Sequence, residues 1–296
     1  MDVLAVKGIT KYYGKICALN NVSFSIPQGS VYGILGPNGS GKTTLLGIIM
    51  NILRQNSGTF ELFGELPVSH VRRRIGTLLE TPNFYHYLSG EKNLQIAAAI
   101  KQKGAGDIDK VLKMVNLDDR RQSKFSTYSL GMKQRLAIAS CLLGDPEVLV
   151  FDEPTNGLDP VGISEIRELI ISLAKQGKTI IMASHLLDEV EKVCSHVAIL
   201  KYGNLLTAGK ADEVLVNEDI VEISAKDLDQ LEHLLNTFQG VSQVKRLEHV
   251  IQAVFPPGKA DTEEVNRFCI DHGLLLNHLI LKKKSLEALF LEITKN

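Results

Sequence analysis

The sequence lacks any run of about 18 consecutive apolar residues, the length that a bilayer-spanning helix requires, so no segment is expected to cross a membrane. It also lacks a charge excess: 33 Lys and Arg stand against 34 Asp and Glu, for a net charge of -1. Such balance argues against a dominant nucleic-acid-binding surface, although a local patch is compatible with it. Cysteine is sparse. Cys17, Cys141, Cys194 and Cys269 are scattered without metal-ligand spacing, which points away from a disulfide framework and toward thiols in a reducing compartment. The N-terminal MDVLAVKGITKYYG has no basic stretch followed by an apolar core, so a secretory leader is not expected. No internal repeat or low-complexity tract is present, and Pro256-Pro257-Gly258 reads as a local turn. The expectation is a soluble or peripheral protein of the cytosol with no nucleic-acid partner.

What is present points to an α/β fold. A chain of 296 residues can bury one large domain plus a smaller one. Val22, Phe24 and Ile26 alternate with polar residues, as a half-buried strand should. Val148-Leu149-Val150-Phe151 and Thr179-Ile180-Ile181-Met182-Ala183 are continuous apolar runs that suit strands covered on both faces. Amphipathic segments at Glu165 to Ala174 and Leu186 to Val193 alternate with them, which implies a largely parallel sheet flanked by helices. Between about residues 76 and 143 the texture becomes helical, predicting a helical subdomain inserted into a domain of residues 1–217. From residue 218 to 296 a β-α-β-β-α-β pattern resembles a small ferredoxin-like domain, with a last helix over Ser285 to Ile293.

The chemistry-bearing motif is Gly36-Pro37-Asn38-Gly39-Ser40-Gly41-Lys42-Thr43-Thr44, set between the apolar runs Val31 to Leu35 and Leu45 to Ile52. Strand, tight loop and helix follow in the order of a phosphate-cradling loop. Glycines let backbone N–H groups and the helix N-terminus turn toward triphosphate oxygens. Lys42 is placed to reach the β- and γ-phosphates, and the Thr43 hydroxyl to ligate Mg²⁺. Such a loop alone leaves kinases, GTPases, helicases and transport ATPases open. Further along, Val148 to Phe151 leads into Asp152-Glu153, where a carboxylate ending a buried strand can hold Mg²⁺ and its neighbour can polarise water. Upstream of it, Tyr128-Ser129-Leu130-Gly131-Met132-Lys133-Gln134-Arg135 opens a helix with Ser129 as its N-cap.

The order and approximate spacing of these motifs, together with Asn156-Gly157-Leu158-Asp159 and His185, resemble the ATP-binding subunit of an ABC transporter across essentially residues 1–215. The resemblance implies that two such domains close head to tail around two ATP molecules, each loop facing the Ser129 helix of the other copy. It implies adenine stacking by Tyr13, with Tyr12 as competitor, and γ-phosphate contacts from His185. It gives Glu153 the role of base, Asp152 and Thr43 that of Mg²⁺ ligands, and Asp159 a part in communication across the dimer, beside its capping of the helix before Pro160. A separate membrane permease is the implied partner, holding the protein at the inner face of the cell membrane. A related soluble ATPase working on DNA or ribosomes is disfavoured by the neutral charge, the single cassette and the lack of a long coiled-coil insertion.

Two departures from the family pattern stand out. Its usual Leu-Ser-Gly-Gly-Gln is here Tyr128-Ser129-Leu130-Gly131-Met132, which keeps Ser129 and Gly131 but changes their neighbours. Glu80 stands where the family normally has a glutamine that meets Mg²⁺ and the attacking water, a variation that resembles bacitracin and lantibiotic exporters. Export of antimicrobial peptides is the corresponding expectation. The aromatic run Pro82-Asn83-Phe84-Tyr85-His86-Tyr87-Leu88 is expected either to receive a permease helix or to pack inside the helical subdomain.

Overall fold

Alternation around Val22 settles into a long hairpin, in which β1 (Asp2–Tyr13) pairs antiparallel with β2 (Ile16–Pro27). The computed structural model describes residues 1–79, 83–214, 219–256 and 258–283. β3 (Val31–Leu35) is buried at every position and runs through the glycine loop into α1 (Lys42–Ile49). β4 (Ser57–Leu62) returns to pair with β1, completing a three-stranded sheet in the order β2-β1-β4.

A second sheet forms from the short apolar runs. After α2 (Ser69–Arg72), β5 (Ile75–Leu78) enters it, and three helices follow before the next strand: α3 (Gly90–Lys101), α4 (Ile108–Met114) and α5 (Leu130–Leu142). Then come β6 (Val148–Asp152), α6 (Pro160–Lys175), β7 (Thr179–Ser184), α7 (Leu187–Val193), β8 (His196–Lys201), β9 (Asn204–Lys210) and α8 (Ala211–Val214). The strand order is β5-β6-β7-β3-β8-β9, parallel except for β9. Every residue of β3, β6 and β7 is buried, which is why these strands show no alternation. In α6 the stripe Ile166, Leu169, Ile170 and Leu173 is buried. Its start is fixed by Asp159, whose Oδ1 accepts from the Gly162 N–H at 2.9 Å, with Pro160 just inside. Such a cap contributes about 1 kcal/mol.

The first compact unit covers Met1–Ala211 and the second Asp212–Asn296, so the division falls a few residues before the expected 217. In the second, β10 (Asp219–Ala225), α9 (Leu228–Thr237), β11 (Gln243–Arg246), β12 (Ile251–Phe255), α10 (Thr262–Asp271) and β13 (Leu276–Lys283) build an antiparallel sheet ordered β11-β12-β10-β13. Alternate β10 residues Val221, Ile223 and Ala225 join Leu231 and Leu235 of α9 and Val265 and Cys269 of α10 in a separate core. Asp227 and Asp261 cap the two helices by accepting first-turn N–H groups. The expected helix over Ser285 to Ile293 lies outside the described residues.

Candidate active site

Three neighbouring strands of the parallel sheet end at one place. β6, β7 and β3 lie side by side, and their C-terminal ends deliver Glu153, His185 and the 36–44 loop, respectively. In open parallel sheets ligands bind at this edge. Glycine is required at two points of the loop. A Cβ on Gly36 would sit 2.3 Å from the Leu200 carbonyl oxygen, and one on Gly41 2.5 Å from that of Ala18, where φ is also 106°. The first turn of α1 carries no acidic residue and no side-chain cap, so its N–H groups are left to anionic oxygens.

Lys42 is the charge at the centre. Its side chain is 5% exposed, and its Nζ donates to the carbonyls of Gly36 (2.8 Å) and Pro37 (3.3 Å) and lies 3.4 Å from Glu153 Oε1. The other carboxylate oxygen, Oε2, is 2.8 Å from His185 Nδ1. Glu153 itself adopts φ 49°, a left-handed conformation that a non-glycine residue holds at a cost of about 1–2 kcal/mol. Its N–H donates to the Ala183 carbonyl at 3.0 Å, which ties the strained residue to the end of β7. Lys42, Glu153 and His185 thus form one continuous line of contacts. Asp152 is buried at the end of β6, and Thr43 is exposed in the first turn of α1. The Ser40 hydroxyl is buried with no hydrogen-bond partner among the described residues.

Ser129 does cap α5, its Oγ accepting from the Met132 N–H at 3.3 Å. The residues beside it face solvent: Leu130 is 50% exposed, and a Cβ on Gly131 would meet nothing within 4 Å. Among the described residues nothing approaches Gly131 closely enough to exclude a side chain there. Asp159 takes its capping role at α6. Tyr12 and Tyr13 are both exposed at the end of β1; the Tyr12 N–H donates to Asn56, and the Lys11 ammonium sits 5.2 Å from the Tyr13 ring centre. Glu80, Thr81 and Pro82 lie outside the described residues, so the expected glutamate contact has no geometry here.

The aromatic loop divides its side chains. Phe84 and His86 pack edge-on against the buried Phe125 at 5.2 and 5.5 Å, and Phe125 in turn touches Tyr128 at 5.9 Å. Tyr85 and Tyr87 point out, 50% and 69% exposed. One residue that the sequence did not single out organises this loop. Asn93, buried in α3, accepts from the Tyr85 N–H at 2.8 Å and donates to the Tyr85 carbonyl at 3.1 Å and the Ser89 carbonyl at 3.0 Å. It pairs with the Tyr85 backbone as a neighbouring strand would. Phe84, Tyr85, Ile96, Ala97 and Ile100 line a groove of about 450 Å³ beside it.

Residues 19–156 match the family described as ABC transporter. An uncharacterized ABC transporter ATP-binding protein of Bacillus subtilis, YhcH, is 36% identical over 99% of this chain and 96% of its own length. The bacitracin transport ATP-binding protein BcrA of Bacillus licheniformis is 35% identical over 98% of this chain and 97% of its own. Among solved structures, a dimeric post-hydrolysis state of the ATP-binding cassette MJ0796, bound to ADP and Pi, superposes with a TM-score of 0.62 at 27% identity, covering 70% of this chain and 98% of that one. With sheet order, phosphate loop and full-length likeness in agreement, the chain belongs to the ATP-binding proteins of ABC transporters, ATPases whose hydrolysis is coupled to transport.

Proposed function

We propose that two copies of this chain close head to tail on two ATP molecules and thereby drive a separate membrane permease that exports an amphipathic antimicrobial peptide. The observation that carries this reading is the split of the site across one copy's surface. Lys42, Glu153 and His185 meet at the sheet edge, whereas the Ser129 turn opens to solvent. The dimeric MJ0796 cassette supports the pairing of two copies, and BcrA supports the export of a bacitracin-like cargo. Among the described residues no helix is long and apolar enough to cross a membrane, which suits a subunit held at the cytoplasmic face by its permease. The groove beside Tyr85 and Tyr87 is the surface assigned to that permease.

In this reading the amides of the 36–44 loop and Lys42 bind the phosphates, with Gly36, Pro37, Asn38, Gly39, Ser40, Gly41 and Thr44 forming the cradle. Glu153 takes the proton of the attacking water. His185 donates toward the γ-phosphate. Glu153 Oε2 holds the ring through Nδ1, which leaves Nε2 as the nitrogen available to the phosphate. Thr43, Asp152 and Glu80 offer hard oxygen donors that suit Mg²⁺. When bound, Mg²⁺ supplies charge neutralisation at the triphosphate.

Two measurements test this. ATPase activity per mole of protein is expected to rise with protein concentration and level off as dimers form. A specific activity that stays constant down to concentrations where sedimentation shows only monomer would remove the paired site. For the base, Tyr13→Ala is expected to weaken binding of a fluorescent ATP analogue roughly 5- to 100-fold, the worth of one stacked ring. Tyr12→Ala should change it by less than about twofold; the reverse result would hand the role to Tyr12.

A further inference from the structure

Four basic side chains from two stretches of chain converge on one cavity far from the nucleotide loop. Arg72 and Arg73 come from the end of α2, and Lys101 and Lys103 from the end of α3 and the turn after it. They line a space of about 380 Å³ together with Ile75, Ile100 and others. None of the described lining residues is acidic. Arg73 stands just before β5, and Leu143, also in the lining, just before β6. The cavity therefore sits at the N-terminal edge of the parallel strands, opposite the edge that holds Lys42 and Glu153.

Part of this arrangement has a structural cause. The Lys101 ammonium donates to the Ser140 carbonyl at 2.6 Å in the last turn of α5, and Lys103 donates to the carbonyls of Arg73 and Gly144. Arg72 donates to the Pro67 carbonyl. Carbonyl oxygens satisfy donors and fix their position, but they leave the positive charge uncancelled. Burial holds the Lys101 ammonium below the usual lysine range, and the like charge of Lys103 acts in the same direction. Of the nearby carboxylates, Asp145 pairs with Lys178 at 2.8 Å and also feels the charge of Lys103, and Glu147 takes the neighbouring Arg74 in a two-pronged contact. The Arg73 guanidinium has no hydrogen-bond or ion-pair partner among the described residues. Backbone carbonyls hold Lys101, Lys103 and Arg72, whereas the exposed Arg73 guanidinium is left to a ligand or to solvent.

We infer that this cavity binds a phosphate group, carried either by an anionic phospholipid headgroup or by a free phosphate ion. Cations gathered at one cavity from separate chain stretches match a tetrahedral group with oxygens on several sides better than a planar carboxylate. The lipid source has one further point in its favour. Ile100, 78% exposed, belongs both to this cavity and to the apolar groove beside Tyr85, so an apolar flank adjoins the charge.

The test uses the full chain with its nucleotide loop saturated by MgADP, so that phosphate bound there does not register. Flotation with phosphatidylglycerol-containing vesicles, against pure phosphatidylcholine, reads the lipid source; calorimetric titration with inorganic phosphate reads the free ion. Binding in at least one arm is expected, with Arg73→Glu reducing it about tenfold. An Arg72→Gln, Arg73→Gln double variant, which removes charge without reversing it, should show the same loss. ATPase activity and melting temperature are expected to stay unchanged in these variants, which separates loss of the site from loss of the fold. Vesicle binding without phosphate binding assigns the headgroup, and phosphate binding without flotation assigns the ion. Absence of binding in both arms, or binding that Arg73→Glu leaves intact, overturns the inference.

Discussion

Replacing Glu153 by glutamine is expected to slow ATP hydrolysis by about two to four decades, or roughly 3–5 kcal/mol of barrier, while ATP still binds. The substitution keeps the size of the side chain and an oxygen able to face His185, whose Nδ1 lies 2.8 Å from the carboxylate. It removes the one property that a base needs, a readily available pair of electrons on a charged oxygen. Glutamine holds φ 49° no worse than glutamate, so the backbone strain at this position is not altered. Lys42 loses its 3.4 Å partner but keeps the Gly36 and Pro37 carbonyls, so the loop retains its shape. Single-turnover hydrolysis and equilibrium nucleotide binding, measured on the same preparation, separate the two effects. Turnover near the parent rate would take Glu153 out of the chemistry and leave it as a partner of Lys42.

The second large effect is recovery from two dead variants. Lys42→Ala removes the central cation, and Ser129→Arg fills the open start of α5; each alone is expected to lose at least about 100-fold in ATPase activity, the usual scale for deleting a transition-state contact. Mixed in equal amounts, they regain one intact site in every mixed dimer, because the sound loop of one copy meets the sound Ser129 of the other. Random pairing makes about half of the dimers mixed with one of two sites restored, so about a quarter of parent activity is expected. Ser129→Arg also forfeits the Met132 cap, worth about 1 kcal/mol, so its melting curve belongs beside the activity. A mixture no more active than its parts, with both variants folded and dimerising, would show that each copy hydrolyses with its own residues alone.

The parts of this fold that the sequence discloses are those whose burial leaves a simple trace. β3, β6 and β7 are buried at every position, so their apolar runs stand out. The glycine loop shows itself because backbone crowding at Gly36 and Gly41 admits no side chain. β1 escaped notice for a reason visible in its pairing: register shifts between Val6 and Ile9, and again between Ile9 and Lys11, break the alternation. β9 alternates but is largely exposed, and it is a strand only through its pairing with β8. Asn93 was invisible because a polar residue in a helix reveals its role only when a loop folds back on it. Ser129 was legible as a helix start, whereas the openness around Gly131 became apparent only in three dimensions.

The grip of Asn93 on Tyr85 has a mechanical corollary. It fastens Tyr85 to α3, and the ring contacts from Phe84 through Phe125 to Tyr128 run on to the residue just before Ser129. Close-packed rings yield little under load. A push on the tyrosine rim would therefore bear, through packed rings, on the Ser129 turn, which in the proposed dimer faces the other copy's nucleotide.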